Sequence, residues 1–286
     1  MRWLTNPVDW WIEPFTDAPF LRDALWAALL AVACTSVIGT WVVLRGLSFL
    51  GDALAHGVLP GIAIAFVLGS STTIGALVAA LAMVGGVQLI RATSPLPDDA
   101  SIGVLFVGFL ALAVVVMSAQ TGRGAGDLTR FLFGSINAVD TTDLQTSAIV
   151  TAITIAGVVV LHRALVVSTF DVTQARLAGF HPQLTHFALL VLLALSIVAS
   201  FETVGSLLVF AFLVAPPATA SLVASRVPAI MIGAVAIGSA CSVVGLLVSY
   251  HHGTATGATM ALVTVIVFVA ALAARPAVRH LRPTTA

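Results

Sequence analysis

Charged side chains are scarce in this sequence of 286 residues: they make up 8% of the chain, and lysine is absent. Soluble domains carry about 25% charged residues, so this composition excludes an ordinary water-soluble protein. The twelve cations, all arginine, are balanced by twelve acids, and a neutral chain offers no basic surface to a nucleic acid. The two cysteines, Cys34 and Cys241, both lie inside apolar runs, so no disulfide framework is expected.

Several catalytic motifs are also missing. There is no Walker A loop, so the chain is not expected to hydrolyse ATP. Neither HExxH nor GxSxG occurs, which leaves little support for a membrane protease. We therefore expect a non-catalytic chain.

Long apolar runs fill most of the sequence, and hydrophobic residues make up 59% of it. A helix needs about 17 to 25 apolar residues to cross a bilayer. Nine runs meet this length, with eight to ten as the range: 20–44, 53–69, 72–91, 100–119, 144–162, 184–200, 203–224, 229–249 and 257–275. The sequence therefore predicts an all-α, polytopic integral protein of the cell membrane, in which residues 1–286 form a single transmembrane domain.

Arginine is distributed unevenly between the two sides that these runs define. Positive charge concentrates on the cytoplasmic side of membrane proteins. With the N-terminus outside, eight of the twelve arginines are cytoplasmic: Arg45, Arg91, Arg163, Arg176, Arg226, Arg275, Arg279 and Arg282. This orientation places residues 170–182 in the cytoplasm and residues 120–143 outside.

Two polar residues stand at the start of the second apolar run, in the stretch GDALAHG. Asp52 and His56 are four residues apart, which places them on one face of a helix, where a carboxylate and an imidazole can hold one cation. An ionisable group within a span costs roughly 2.5–3.5 kcal/mol on insertion scales, so it usually has a partner or a function. The alternative is that Asp52 caps the helix and His56 is a satisfied interior histidine.

Three further polar residues near the outer ends of spans are candidates for a metal path. Glu202 is either an acid in the first turn of the seventh span, favoured by the helix dipole, or a pathway group for a cation. His251 and His252 precede the last span. A histidine pair there can capture a borderline cation at a pore mouth, or it can form an exposed polar turn.

Prolines predict interruptions in two spans. Pro60 lies in the second span, while Pro216 and Pro217 lie in the seventh, where they remove two amide donors and are expected to break or kink the helix. At membrane depth, broken backbone occurs only where it is buried in protein or lines a cavity. That suits a transport pathway, although proline near the end of a span is also ordinary.

The cytoplasmic stretch STFDVTQARLAGFHP predicts a short amphipathic helix, which we call the coupling segment (residues 170–182). Ser168 or Thr169 is the expected cap, and Gly179 with Pro182 ends the helix. Its apolar side chains form either a docking surface for a partner or a connector that lies on lipid: Phe170, Ala175, Leu177, Ala178 and Phe180.

Five ordered stretches resemble the permease subunit of the zinc/manganese/iron class of ABC importers. They are VVLRGLSFLGDALAHGVLPGIAIAF, DDASIGVLFVGFLALAVVVMS, DLTRFLFGSINAVDTTDL, FDVTQARLAGF and TVGSLLVFAFLVAPPATA. Their order and spacing extend the resemblance over nearly the whole chain.

The resemblance implies a homodimeric permease that moves Zn²⁺ or Mn²⁺, and by extension Fe²⁺, into the cytoplasm, with no permanently bound cofactor. An external solute-binding protein delivers the cation, and a separate ATPase subunit drives its passage. Asp52 and His56 line the metal path, because the family carries an Asp-x-x-x-His pair at this place. The ATPase docks on the coupling segment, for which the resemblance implies five contact residues: Phe170, Asp171, Ala175, Arg176 and Gly179.

Three other functions stay open at the level of sequence. A permease for metal chelates, such as siderophores or cobalamin, needs a wide, uncharged path. An intramembrane enzyme with Asp52 and His56 as acid and base works without any ATPase. An ion-gradient-driven carrier is expected to show inverted repeats, and none is convincing here.

Overall fold

The computed structural model describes residues 7–95, 97–119 and 139–281. Every regular element within these ranges is an α-helix, which confirms the all-α prediction. The helices of the described ranges, in chain order, are α1 (Pro7–Asp17), α2 (Pro19–Leu44), α3 (Ser48–Gly57), α4 (Leu59–Val67), α5 (Thr72–Thr93), α6 (Asp98–Ser118), α7 (Thr141–Phe170), α8 (Val172–Leu177), α9 (Pro182–Val204), α10 (Ser206–Val223), α11 (Val227–His252) and α12 (Thr256–Leu281).

The described residues contain nine segments that are long and apolar enough to cross a membrane, as predicted, with α3 and α4 together making one crossing. Large apolar side chains point outward along these helices. Val160, Leu68 and Ile232 are 81%, 73% and 72% exposed, respectively. Exposed apolar surface on this scale is covered by lipid or by another protein, so the chain is a multi-pass membrane protein.

Helix α2 lies at the centre of the helices, with α7, α9, α10 and α11 packed around it. Small buried residues, including Ala24, Ala28 and Ala31, occupy its contact faces. Small side chains let helix backbones approach closely, which is how helices associate without a hydrophobic driving force in lipid. Helices α3 to α6 pack on one another beside this centre, and α9 and α10 contact both groups.

Helix α10 continues through Pro216 and Pro217, so of the predicted break or kink the break is wrong, and the kink stays a prediction. Proline has no amide hydrogen, and the carbonyl four residues earlier therefore loses its helical donor. At Phe212 a neighbouring helix replaces that donor, because the Ser36 hydroxyl of α2 donates to the Phe212 carbonyl over 3.2 Å. A proline is tolerated inside a membrane helix where a side chain bonds the freed backbone group in this way.

The carbonyl of Leu213, which would otherwise accept from residue 217, is pressed against Gly39 of α2. A Cβ built on Gly39 would overlap the Leu213 carbonyl oxygen. Only glycine therefore allows α2 and α10 to approach at this level. The contact fixes α10 against the central helix at the proline pair.

Helical structure is interrupted at two other places, one within a span and one between two spans. Helix α3 gives way to α4 at Val58, so the interruption expected around Pro60 lies two residues before it, with Pro60 in the first turn of α4. Gly205 separates α9 from α10 with φ of 80° and ψ of 159°, a backbone conformation that is essentially restricted to glycine. Helical structure is therefore interrupted at Gly205 and not at the proline pair.

Replacing Gly39 with alanine tests the contact between α2 and α10. The added methyl group meets backbone, which cannot rotate away, so we expect Gly39→Ala to lose roughly 1–3 kcal/mol, as overpacked cores do. The measurement is the apparent unfolding temperature of the detergent-purified protein. Gly85→Ala is the control, because no atom lies within 4 Å of a Cβ at that helical position. Equal unfolding temperatures for the two variants would contradict the described packing.

Candidate metal site and coupling segment

Asp52 and His56 lie on α3, on the same face of the helix. The Nδ1 atom of His56 is 3.1 Å from the Asp52 carbonyl oxygen and 3.4 Å from the Asp52 carboxylate Oδ1. The side chains are partly accessible, 26% for His56 and 32% for Asp52. The structure therefore brings the predicted carboxylate and imidazole together within one membrane span and leaves both open to a small ion.

The interpretation of Asp52 as a helix cap is wrong. The N-cap of α3 is Leu47, and Asp52 is the fifth residue of the helix. A carboxylate that does not cap remains available for another partner. When Nδ1 of His56 carries a proton and donates it to Asp52, the Nε2 lone pair is directed away from that residue and can bind a cation.

Helix α3 is fixed in place by α5, α6, α9 and α10. The imidazole of His56 stands edge-on to the ring of Phe106 on α6, with the ring centroids 6.0 Å apart at 90°. An aromatic wall on one side limits the directions from which an ion can reach the imidazole. The pair is thus held on a packed helix rather than on a loop.

One chain supplies only part of a metal-binding shell. Within the described ranges, no group of three or more His, Cys, Asp or Glu side chains converges. Tetrahedral sites in proteins use four ligands, and harder cations take six or more. Asp52 and His56 therefore need further ligands from water or from a second chain.

Of the other three candidates, neither histidine joins this pair. Glu202 lies in the last turn of α9 and not in the first turn of the next helix. The prediction that a helix dipole favours this acid is therefore wrong. The side chain of Glu202 is outside the part of the chain that the structure describes. His251 and His252 end α11 instead of lying in a loop. The ring of His251 stacks on Trp10 of α1, with centroids 4.8 Å apart, while His252 Nδ1 contacts the Val248 carbonyl over 3.0 Å.

The coupling segment follows directly on α7, which runs to Phe170 and is longer than predicted. Ser168 and Thr169 lie within α7, so the predicted cap is wrong. Asp171 caps α8 instead, its Oδ1 accepting from the Gln174 amide over 2.8 Å. Gly179 then adopts φ of +81°, which turns the chain back toward α9.

The exposed face of the coupling segment differs in part from the predicted docking surface. Phe170 and Leu177 are 67% and 79% exposed, and Val172, which the sequence analysis missed, is 48% exposed. Ala175 is fully buried, so it packs inside the chain and cannot contact a partner directly. The apolar face available to a partner therefore consists of Phe170, Val172, Leu177 and Ala178, with Phe180 half-buried beside it.

Comparisons with known proteins agree over nearly the whole chain. The model of the family described as the ABC 3 transport family matches residues 17–275. The manganese transport system membrane protein MntC of Halalkalibacterium halodurans is 35% identical over 249 residues, which cover 87% of this chain and 85% of that protein. The chelated iron transport system membrane protein YfeD of Yersinia pestis is 32% identical over 261 residues, covering 91% and 86%.

A solved structure, PsaBC from Streptococcus pneumoniae in complex with Fab, has a similar fold. It superposes with a TM-score of 0.82 at 31% sequence identity, covering 91% of this chain and 94% of that chain.

Labelling from one side of the membrane tests the orientation of the two ends of the helices. We expect a membrane-impermeant maleimide to label Ala255→Cys but not Thr173→Cys in intact cells, because the arginine distribution places the coupling segment inside. Both positions are exposed, and the native Cys34 and Cys241 are buried, so the unsubstituted protein is the control. Labelling at position 173 and not at position 255 would contradict the predicted orientation and support the reverse one.

Proposed function

Since the chain belongs to the ABC 3 transport family, it is a multi-pass permease of the cell membrane, and we propose that Mn²⁺ or Fe²⁺ passes through it by way of Asp52 and His56. A permease of this family is a transport subunit, so the interpretation of Asp52 and His56 as the acid and base of an enzyme is dropped. The relatives named above are membrane proteins of a manganese transport system and of a chelated iron transport system. Zn²⁺ accepts the same ligand types and belongs in any test of selectivity.

The observation that carries this proposal is the Asp52–His56 pair itself. A carboxylate and an imidazole suit Mn²⁺, Fe²⁺ and Zn²⁺ better than they suit a soft cation, which prefers thiolate. Transit requires binding that is strong enough to remove water from the ion and weak enough to release it. Two ligands per chain meet that requirement better than a closed structural shell does.

We propose that two copies of the chain assemble with their pairs facing each other. Two Asp52–His56 pairs supply four ligands, which is a full tetrahedral set for Zn²⁺ and leaves the two remaining positions of an octahedral Mn²⁺ or Fe²⁺ ion to water. A two-fold axis through the pathway brings identical residues together in this way. The incomplete shell of one chain is the support for this dimer.

We propose two further partners at the two ends of the pathway. A cytoplasmic ATPase binds the coupling segment through Phe170, Val172 and Leu177, while Asp171 and Gly179 maintain its shape. A solute-binding protein releases the ion at the outer side. Residues 1–286 then act as one transmembrane domain, and the energy for transport comes from the separate ATPase.

Asp52→Asn tests the role of the pair in transport. Asparagine keeps the size and hydrogen-bonding capacity of the side chain but has no charge to hold a cation. We expect ATP-dependent Mn²⁺ uptake into vesicles that contain permease, ATPase and binding protein to fall by at least about tenfold, the loss that even outer partners of a metal site cause. His56→Ala should behave in the same way.

The matched control is Asp23→Asn, which removes an exposed acid of α2. All variants are compared at equal amounts of folded protein. Normal uptake by Asp52→Asn would remove the pair from the pathway. Uptake of an iron chelate in preference to the free ions would favour a chelate permease instead.

Leu177→Ser tests the docking surface. Burying a leucine at an interface contributes about 1.5–3 kcal/mol, so we expect the ATPase to bind this variant about tenfold more weakly or worse. The measurement is the affinity of purified ATPase for the permease in detergent. Val223→Ser is the control, because Val223 is 67% exposed at the end of α10 and lies outside the coupling segment. Equal affinities for the two variants would place the docking surface elsewhere.

A further inference from the structure

Arg45 occupies the turn between α2 and α3, close in sequence to the metal-site helix. Its amide donates to the Trp41 carbonyl over 3.0 Å, and the amide of Leu47 donates to Val42 over 2.8 Å, so the turn is closed by its own backbone. Helix α3 begins at Ser48, four residues before Asp52. A displacement of this turn therefore moves the first turn of the helix that carries Asp52 and His56.

The Arg45 side chain reaches both flanks of the coupling segment. Its Nε donates to the Thr169 hydroxyl over 2.9 Å, and a terminal nitrogen donates to the Leu165 carbonyl over 3.5 Å. Its other terminal nitrogen lies 3.3 Å from Nδ1 of His186. Thr169 belongs to the last turn of α7, directly before the coupling segment, and His186 belongs to α9, directly after it.

The chemistry of these contacts requires an arginine. The planar guanidinium donates to two acceptors of α7 at fixed angles and contacts the imidazole of His186 on α9 with its remaining nitrogen, an arrangement that the single ammonium of a lysine does not reproduce. The position has an electrostatic cost. Burial, and secondly the charge of Arg91, which contacts the other ring nitrogen of His186, lower the pKa of Arg45.

We infer that Arg45 is a positioning residue that transmits movement of the coupling segment to the Asp52–His56 pair. This inference rests on the proposed function, because it assigns a route between the ATPase surface and the metal path. Movement of the segment displaces Thr169 and His186 together. The guanidinium that joins them carries the displacement into the α2–α3 turn and hence into α3.

The test compares Arg45→Gln, Arg45→Lys, Thr169→Val and the Arg45→Gln/Thr169→Val double variant in the assembled complex with ATPase and binding protein. The measured quantity is the number of Mn²⁺ ions taken up per ATP hydrolysed. Arg226→Gln is the matched control, since it removes an exposed arginine at another cytoplasmic helix end. If Arg45→Gln does not assemble, Thr169→Val carries the test, because it keeps the guanidinium and removes one acceptor.

We expect Arg45→Gln to keep ATP hydrolysis and to lose about tenfold in ions per ATP, within the range of a coupling energy between two sites. Thr169→Val should show a smaller loss, and Arg45→Lys should recover little of it. The double variant should be no worse than Arg45→Gln, since both changes break one connection. A normal ratio in Arg45→Gln, or additive losses in the double variant, would overturn the inference.

Hydrogen exchange separates this inference from the proposed function. ATPase binding should change the amide exchange of residues 45–52 in the unsubstituted permease and should leave it unchanged in Arg45→Gln. If the unsubstituted complex takes up no metal, the proposed function fails, and the exchange result alone decides whether Arg45 connects the two regions. The same exchange response in both proteins would overturn the role of Arg45.

Discussion

The hydrocarbon layer of a membrane contains no water that could hydrogen-bond a stray polar group, and the placement of polar side chains in this chain follows from that constraint. At the proline pair of α10, the carbonyl of Phe212 has lost its helical donor, and the Ser36 hydroxyl of α2 replaces it. Gly39 allows the backbones to approach closely at the same level. The central helix therefore supports α10 both sterically and by hydrogen bonding, and the two helices together help to position α3.

The same constraint explains why Asp52 and His56, two ionisable residues in a span, need binding partners. Two ionisable groups in a span contact each other, do not cap the helix and remain partly accessible. Their mutual contact satisfies only some of the bonding capacity of a carboxylate and an imidazole. In the proposed function, a passing cation and the same pair from a second copy fill the remainder. The Arg45 contacts then join this helix to the segment where an ATPase is proposed to act.

Much of this architecture follows from sequence, because bilayer thickness sets the length of each apolar run and helical periodicity sets the spacing of Asp52 and His56. Contacts between residues far apart in sequence are the main feature that the sequence could not predict. Ser36 lies 176 residues from Phe212, so the unbroken path of α10 through its prolines could not be predicted. Helix α10 begins at Ser206, three residues later than predicted, and this difference moves Glu202 from the first turn of one helix to the last turn of another. From sequence alone Arg45 indicates only the orientation in the membrane, because its partners come from α7 and α9.

Pulsed electron paramagnetic resonance tests most directly whether the Asp52–His56 pair touches the transported ion. Mn²⁺ is trapped in the complex of permease, ATPase and binding protein, with ¹⁵N-labelled histidine in the permease alone. The account predicts a nitrogen coupling to Mn²⁺ that changes with the isotope and disappears in His56→Gln. The absence of any permease nitrogen coupling, or a coupling that persists unchanged in His56→Gln, would contradict it.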